Sequence, residues 1–283
     1  MSVTDGNTAA RTTEHVVRTD DGAKLAVTVR VPSLRVIGST VVLSHGWAAS
    51  RRMWQEVADR LLAKGHSVVL YDQRGHGRST LGRSPIGVER LGDDLATVLA
   101  AFDTRNAVVA GHSGGGFAAM SFAVRDPGRA SMRLRGLVLV ATAAHDQDTP
   151  DGEVRMMGNR LFSWALSRPW LGRRLLGQTM GPQPDRAALE TNRRMFAATA
   201  ARVRADCFRS SRGMDLRAGL MSVAVPAVVL AGDADRVIAP KLGESIAMTM
   251  PNARFERVPG AGHMLPLEAP DRVARAIVEL ADR

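Results

Sequence analysis

The sequence predicts an α/β protein: a mostly parallel sheet of eight strands with helices on both faces, interrupted by a helical insertion. Three observations predict it. Short apolar strand patterns alternate with helical patterns along most of the chain, which requires a largely parallel sheet covered on both sides. A glycine-rich passage, Gly111-His112-Ser113-Gly114-Gly115-Gly116, joins the apolar run Ala107–Ala110 to a helical run from Phe117 to Ala123. Residues 144–212 depart from the alternation, with no strand pattern and with helical stretches broken by Pro150, Pro169, Gly172, Gly177, Pro182 and Pro184.

The elements follow in order. Residues 1–13 are small and polar and read as a flexible N-terminus, without the basic and apolar regions of a signal peptide. Residues 14–31 read as a β-hairpin. Leu25, Val27, Val29 and Val31 alternate with Ala26, Thr28 and Arg30, and Asp20-Asp21-Gly22 supplies the turn. A third strand is expected at Thr40–Leu43. The next helix carries Trp54, Val57, Ala58, Leu61 and Leu62 on one face, with Gly65 just past its end. A strand at Ser67–Tyr71, a helix over about Val88–Phe102 and the strand before Gly111 come next. Asp126-Pro127-Gly128 breaks the chain after the following helix, and a sixth strand runs Leu137–Ala141. Strands ending near Ala231 and Val258 and helices at Pro240–Met250 and Pro270–Ala281 complete the pattern. The core therefore spans 14–143 and 213–283. The insertion at 144–212 is too long for a structureless loop and is expected to fold as a helical cap.

Gly111-His112-Ser113-Gly114-Gly115 is a G-x-S-x-G pattern. At a sharp strand-to-helix turn the serine backbone is strained, and side chains at the flanking positions would collide with neighbouring backbone. Such a turn lifts the hydroxyl clear of the sheet and aims the first helical amides at its target. Gly114-Gly115-Gly116-Phe117-Ala118-Ala119 also fits a degenerate dinucleotide fingerprint, but the next strand ends in Thr142 and Ala143 instead of the acidic residue such a site needs. Two later turns complete a constellation. Gly232-Asp233-Ala234-Asp235 follows one strand and Gly260-Ala261-Gly262-His263 another. A serine hydroxyl needs a base, a histidine titrating near neutrality can take and return its proton, and a carboxylate fixes the tautomer and stabilises the imidazolium.

With the order Ser113, Asp235, His263, and with Ser44-His45-Gly46-Trp47 and Tyr71-Asp72-Gln73-Arg74-Gly75-His76-Gly77-Arg78-Ser79 upstream, residues 14–283 resemble the α/β-hydrolase superfamily, in the serine-hydrolase form with a helical cap. The resemblance implies the α/β-hydrolase fold and Ser113 as nucleophile. It implies an oxyanion hole built from the backbone N–H groups of Trp47 and Gly114. It also places the acid at Asp235, with Asp233 bracing its turn, although some relatives carry the acid after the sixth strand, where Asp146 and Asp148 stand. Asp72 and Arg74 are expected to organise the loop after the fourth strand. His45 and His76 are expected to make local hydrogen bonds. His112 is expected to point away from the reaction, and Glu268 to cap the last helix. Aspartate-nucleophile relatives, the haloalkane dehalogenases and epoxide hydrolases, are excluded by Ser113.

The insertion should roof strand ends where such sheets carry their sites. Trp47, Met157, Phe162 and Trp164 are expected to line the acyl pocket. The implied activity is hydrolysis of a small apolar carboxylic ester through an acyl-enzyme, as in carboxylesterases or monoacylglycerol lipases. Acyl transfer, lactone or carbon–carbon bond hydrolysis and haloperoxidase-like perhydrolysis use the same triad. A non-catalytic ligand receptor is the alternative from another class. No cofactor and no metal are implied.

Composition narrows the rest. A 45% hydrophobic and 23% charged chain of 283 residues is an ordinary globular composition. Cys207 is the single cysteine, so the chain forms no internal disulfide. No apolar run approaches membrane-spanning length, and a cytoplasmic location is expected. The net charge of +10 would suit a nucleic-acid or an anionic-membrane partner. Its arginines are dispersed along the chain and lysine occurs only at 24, 64 and 241, so charge alone implies neither, no nucleic-acid partner is expected, and pairs such as Arg173-Arg174 read as solvated faces.

Overall fold

The structure is a computed structural model that describes residues 10–33, 36 and 38–283. Eight strands form one sheet: β1 (Arg11–Arg18), β2 (Lys24–Val31), β3 (Val41–Ser44), β4 (Val68–Tyr71), β5 (Ala107–His112), β6 (Leu134–Val140), β7 (Ala227–Gly232) and β8 (Ala253–Val258). Their order is β1-β2-β4-β3-β5-β6-β7-β8. β2 runs antiparallel to both neighbours, and every other pairing is parallel. This is the α/β-hydrolase architecture the sequence predicts. One boundary differs. Residues 11–13, expected in a flexible N-terminus, pair with Val29, Arg30 and Val31 as the start of β1. Residues 1–9 of that segment lie outside the described residues.

The central strands are apolar on both faces because both are covered. Val42, Val109, Leu137, Leu139 and Val229 face one core, with the helices α2 (Val88–Ala101) and α3 (Gly114–Arg125) over it. The alternate residues Leu43, Val108, Ala110, Val138 and Leu230 face the other, beneath α1 (Gln55–Ala63) and α13 (Pro270–Ala281). In α2 the buried Leu91, Leu95, Val98 and Leu99 recur at helical spacing. The Asp126-Pro127-Gly128 break is also a helix start. Asp126 accepts a hydrogen bond from the Arg129 amide and Pro127 opens α4 (Pro127–Arg133), a helix the sequence pattern did not reveal.

Between β6 and β7 the chain forms α5 (Asp151–Met157), α6 (Arg160–Ser167), α7 (Pro169–Leu176), α8 (Arg186–Ala198), α9 (Ala201–Ser210) and the short α10 (Arg217–Leu220). The two ends of this excursion are stitched together. The Asp146 amide donates to the Met214 carbonyl at 2.7 Å and the Leu216 amide to the Ala144 carbonyl at 2.8 Å. After β7 come α11 (Pro240–Thr249), β8, α12 (Leu265–Glu268) and α13. No helix among the described residues is long and apolar enough to cross a membrane.

Candidate active site

Sheet order brings the candidate residues together. Ser44 and Gly111 are paired at the ends of β3 and β5, and Trp47 and Gly114 each lie three residues further on. Gly232 and Val258 are paired at the ends of β7 and β8, with Asp235 and His263 in the turns that follow.

Ser113 sits between β5 and α3 with φ 50° and ψ −118°, a strained conformation for a residue with a side chain. Two glycines permit it. A Cβ on Gly115 would lie 2.2 Å from the Ser44 carbonyl oxygen, and one on Gly111 would lie 2.4 Å from that of Gly115. Both obstacles are backbone and cannot turn aside. At the first turn of α3 the Gly114 amide has no helical acceptor. Among the described residues, no hydrogen bond engages the amide of Gly114 or that of Trp47.

The turn carrying Trp47 is held by two buried histidines. His45 Nδ1 donates to the Gly46 carbonyl at 2.7 Å, and its Nε2 accepts from the Gln73 amide at 2.9 Å. His76 Nδ1 donates to the Arg74 carbonyl at 3.0 Å and its Nε2 accepts from the Ala48 amide at 3.1 Å. An acceptor nitrogen on each ring requires the neutral form. Burial pushes His45 down to about 4, and burial together with the neighbouring His45 pushes His76 down to about 3. Below this turn, Arg74 is completely buried between Asp21 and Asp94, bonded to each carboxylate by two contacts. Asp72 accepts from the amides of Arg51 and Arg78. These two residues thus organise the loop after β4.

Asp235 Oδ2 lies 2.9 Å from His263 Nδ1, and its Oδ1 accepts from the amides of Val237 at 2.8 Å and Ile238 at 2.9 Å. Burial alone would push this carboxyl upward. The His263 ring and the two amides outweigh it and hold the group below the ordinary carboxylate range. Because a carboxylate only accepts, the ring proton lies on Nδ1, leaving the Nε2 lone pair of His263 available. Asp233 instead accepts from the Gly260 amide. Asp146 is consumed at the base of the insertion, where it accepts from the amides of Asp148 and Gly213.

Ser113 and His263 line one cavity of about 500 Å³. Its walls include Trp47 and Phe117 from the core and Met156, Met157, Phe162, Leu175, Leu176 and Phe196 from the insertion. Trp47 packs edge-on against Phe117, with ring centres 5.2 Å apart. Trp164, expected in this wall, does not line it. It is 51% exposed on the outer side of α6, with the Arg168 guanidinium 5.2 Å from its ring centre. One helical turn holds both Phe162 and Trp164, and their spacing of two residues turns them to different sides. A larger groove of about 700 Å³ beside β1, β2 and α8 is lined by Arg51, Arg52, Arg78 and Arg194 but contains neither Ser113 nor His263.

The alpha/beta hydrolase family matches residues 41–276. The chain belongs to this family. A non-heme chloroperoxidase of Streptomyces lividans is 27% identical over 243 residues, spanning 80% of this chain and 85% of that protein. A pimeloyl-[acyl-carrier protein] methyl ester esterase of Xanthomonas campestris pv. campestris is 29% identical over 249 residues, spanning 85% and 94%. Among solved structures, an esterase from Exiguobacterium antarcticum superposes with a TM-score of 0.81 at 19% identity, over 94% of this chain and 98% of its own, a likeness of fold.

Two residues of this hydrolase play parts that the sequence does not convey. Glu268 does not cap α13. Its Oε2 accepts from the amides of Gly181 and Gly262 and its Oε1 from that of Met264, so one carboxylate fastens both flanks of His263 and ties them to the insertion. His112, expected to point away, donates from Nε2 to the His263 carbonyl at 2.8 Å, and burial with His263 nearby pushes its pKa down to about 3. Its adjacency to Ser113 is visible in the sequence. Its partner 151 residues later is not.

Proposed function

We propose that this hydrolase cleaves carboxylic esters through an acyl-enzyme on Ser113. The observation that carries the reading is the 2.9 Å contact of Asp235 with His263 Nδ1 beside a cavity that His263 shares with the strained Ser113. In this reading Ser113 Oγ attacks the ester carbonyl carbon and His263 Nε2 takes its proton. The amides of Trp47 and Gly114 hold the developing oxyanion, where preorganised donors contribute most. His263 returns the proton to the departing alkoxide and then draws one from the water that releases the acid. The apolar wall of Met157 and Phe162 suits an acyl chain, and about 500 Å³ accommodates a small ester.

The test is Ser113→Ala with a panel of nitrophenyl esters of graded chain length and a fluorophosphonate probe. Loss of kcat/KM on the order of a thousandfold or more at unchanged Tm, with loss of labelling, is expected. Near wild-type turnover would remove Ser113 from the nucleophile role. A second reading is perhydrolysis, in which hydrogen peroxide instead of water attacks the acyl-enzyme and leaves as the peracid. It is favoured by the likeness to a chloroperoxidase. Peracid formation from an ester and peroxide, absent in Ser113→Ala, would establish it.

A further inference from the structure

The outer face of the insertion carries chemistry that the cavity does not use. Residues 154–184 contain five arginines and no aspartate or glutamate. Arg173 is paired with Glu190. Among the described residues, Arg155, Arg160, Arg168 and Arg174 have no ion pair, and all four are exposed. Large apolar side chains are exposed among them: Leu161 at 71%, Trp164 at 51% and Trp170 at 68%. The placement follows helical spacing. Leu161 and Trp164 share a face of α6, with Arg160 and Arg168 each one turn from Trp164, and Trp170 is one turn from Arg174 on α7. The opposite sides of the same two helices are spoken for, since Leu166 is buried and Phe162, Leu175 and Leu176 line the cavity.

We propose that the outer face of α6 and α7 docks on an anionic lipid surface. Packed α6 and α7 present tryptophan and leucine among unpaired arginines, with no acid in the stretch to repel phosphate headgroups. That combination is the physical signature of a helix lying in a membrane interface. Charge decides between possible occupants. A second copy of this chain would bring its own arginine-rich face against this one, and a neutral apolar partner would leave the guanidinium groups of Arg160, Arg168 and Arg174 without an ion pair. An anionic bilayer answers both halves of the face, its headgroups taking the arginines and its acyl boundary the indoles. Docked in this way, the thin layer formed by α6 and α7 would lie between the lipid and the cavity that holds Ser113. The docking itself does not depend on the ester-hydrolase reading, because it is measured as binding without turnover.

The test uses the full chain and two sets of vesicles, phosphatidylcholine alone and phosphatidylcholine mixed with phosphatidylglycerol. Sedimentation with the vesicles and the blue shift of tryptophan emission are read at low and high salt. Binding to the mixed vesicles only, weakened by salt, is expected. Arg160→Gln and Arg174→Gln should each lower the partition coefficient about fivefold. The pair Leu161→Ser and Trp170→Ser should abolish the blue shift while short-ester turnover and Tm stay at wild-type values, since neither side chain lines the cavity. If the double variant loses Tm, the arginine variants carry the test alone. Equal binding to both vesicle types, unchanged binding in all variants, or no binding together with a concentration-dependent dimer that the double variant dissolves would each overturn the proposal.

Discussion

Acidification should destabilise this protein through the histidines that build its site. His45, His76 and His112 are each at most 2% exposed. His45 and His76 each point an acceptor nitrogen at a backbone N–H, so a second ring proton would face a donor at about 3 Å. Their pKa values stand at about 4, 3 and 3, below the 6.5 of a free imidazole. Between those values the unfolded chain binds protons that the folded chain refuses. The stability is therefore fully present above the unfolded value and is lost as pH falls below it. From about pH 7.5 to about pH 5.5 each imidazole removes about 1.4 kcal/mol, so three remove about 4 kcal/mol, a large part of the 5–15 kcal/mol typical of a folded domain. Asp94, whose carboxyl burial pushes up in spite of Arg74, opposes the trend. A variant separates the contributions. His112→Gln keeps an amide N–H for the His263 carbonyl but removes the titrating ring, so its loss over the same interval should be about 1.4 kcal/mol smaller. Urea unfolding at both pH values measures the difference. Equal stability at the two pH values, or an equal loss in His112→Gln, would refute the neutral burial of these rings.

Three further outcomes concern the site. Asp235→Asn should lower kcat by on the order of a thousandfold or more by stabilising the wrong tautomer of His263, whereas Asp233→Asn, Asp146→Asn and Asp148→Asn should stay within about tenfold of wild type; steady-state kinetics on one nitrophenyl ester compares all four. Glu268→Ala strands three backbone N–H groups around His263 and should cost about 2 kcal/mol or more, read as a lower Tm together with a lower kcat, while Glu268→Gln should recover part of both. Each methylene buried in the cavity should add about 0.8 kcal/mol of binding until it is full, so Met157→Ala and Phe162→Ala should move the optimum from acetyl towards decanoyl esters. Trp164→Ala should leave the kcat/KM profile where it was, because that ring lies outside the cavity.

Much of this architecture was legible in the chain because its signals are local. Strand alternation, Gly65 after α1 and the glycines around Ser113 each express a steric rule that acts within a few residues. The strand ends near Trp47, Ser113, Asp235 and His263 were readable for the same reason, and a parallel sheet gathers strand ends on one edge. What local pattern could not decide was partnership. Asp233, Asp235, Asp146 and Asp148 all follow strands, and only the pairing of β7 with β8 sets Asp235 against His263, while the stitching of the insertion's two ends takes Asp146 out of reach. Glu268 stood near His263 in the sequence, but the three amides it binds converge only when the insertion crosses the turn after β8. In the insertion the apolar residues were visible and their direction was not. Phe162 lines the cavity and Trp164 faces solvent because the phase of a short helix is set by the surface it packs on. The sequence by itself determined the fold and the strand ends that carry the candidate residues. Tertiary structure set Asp235, the carboxylate the resemblance pointed to, against the histidine and decided which side chains of the insertion face the cavity, since both depend on contacts between segments far apart in the chain.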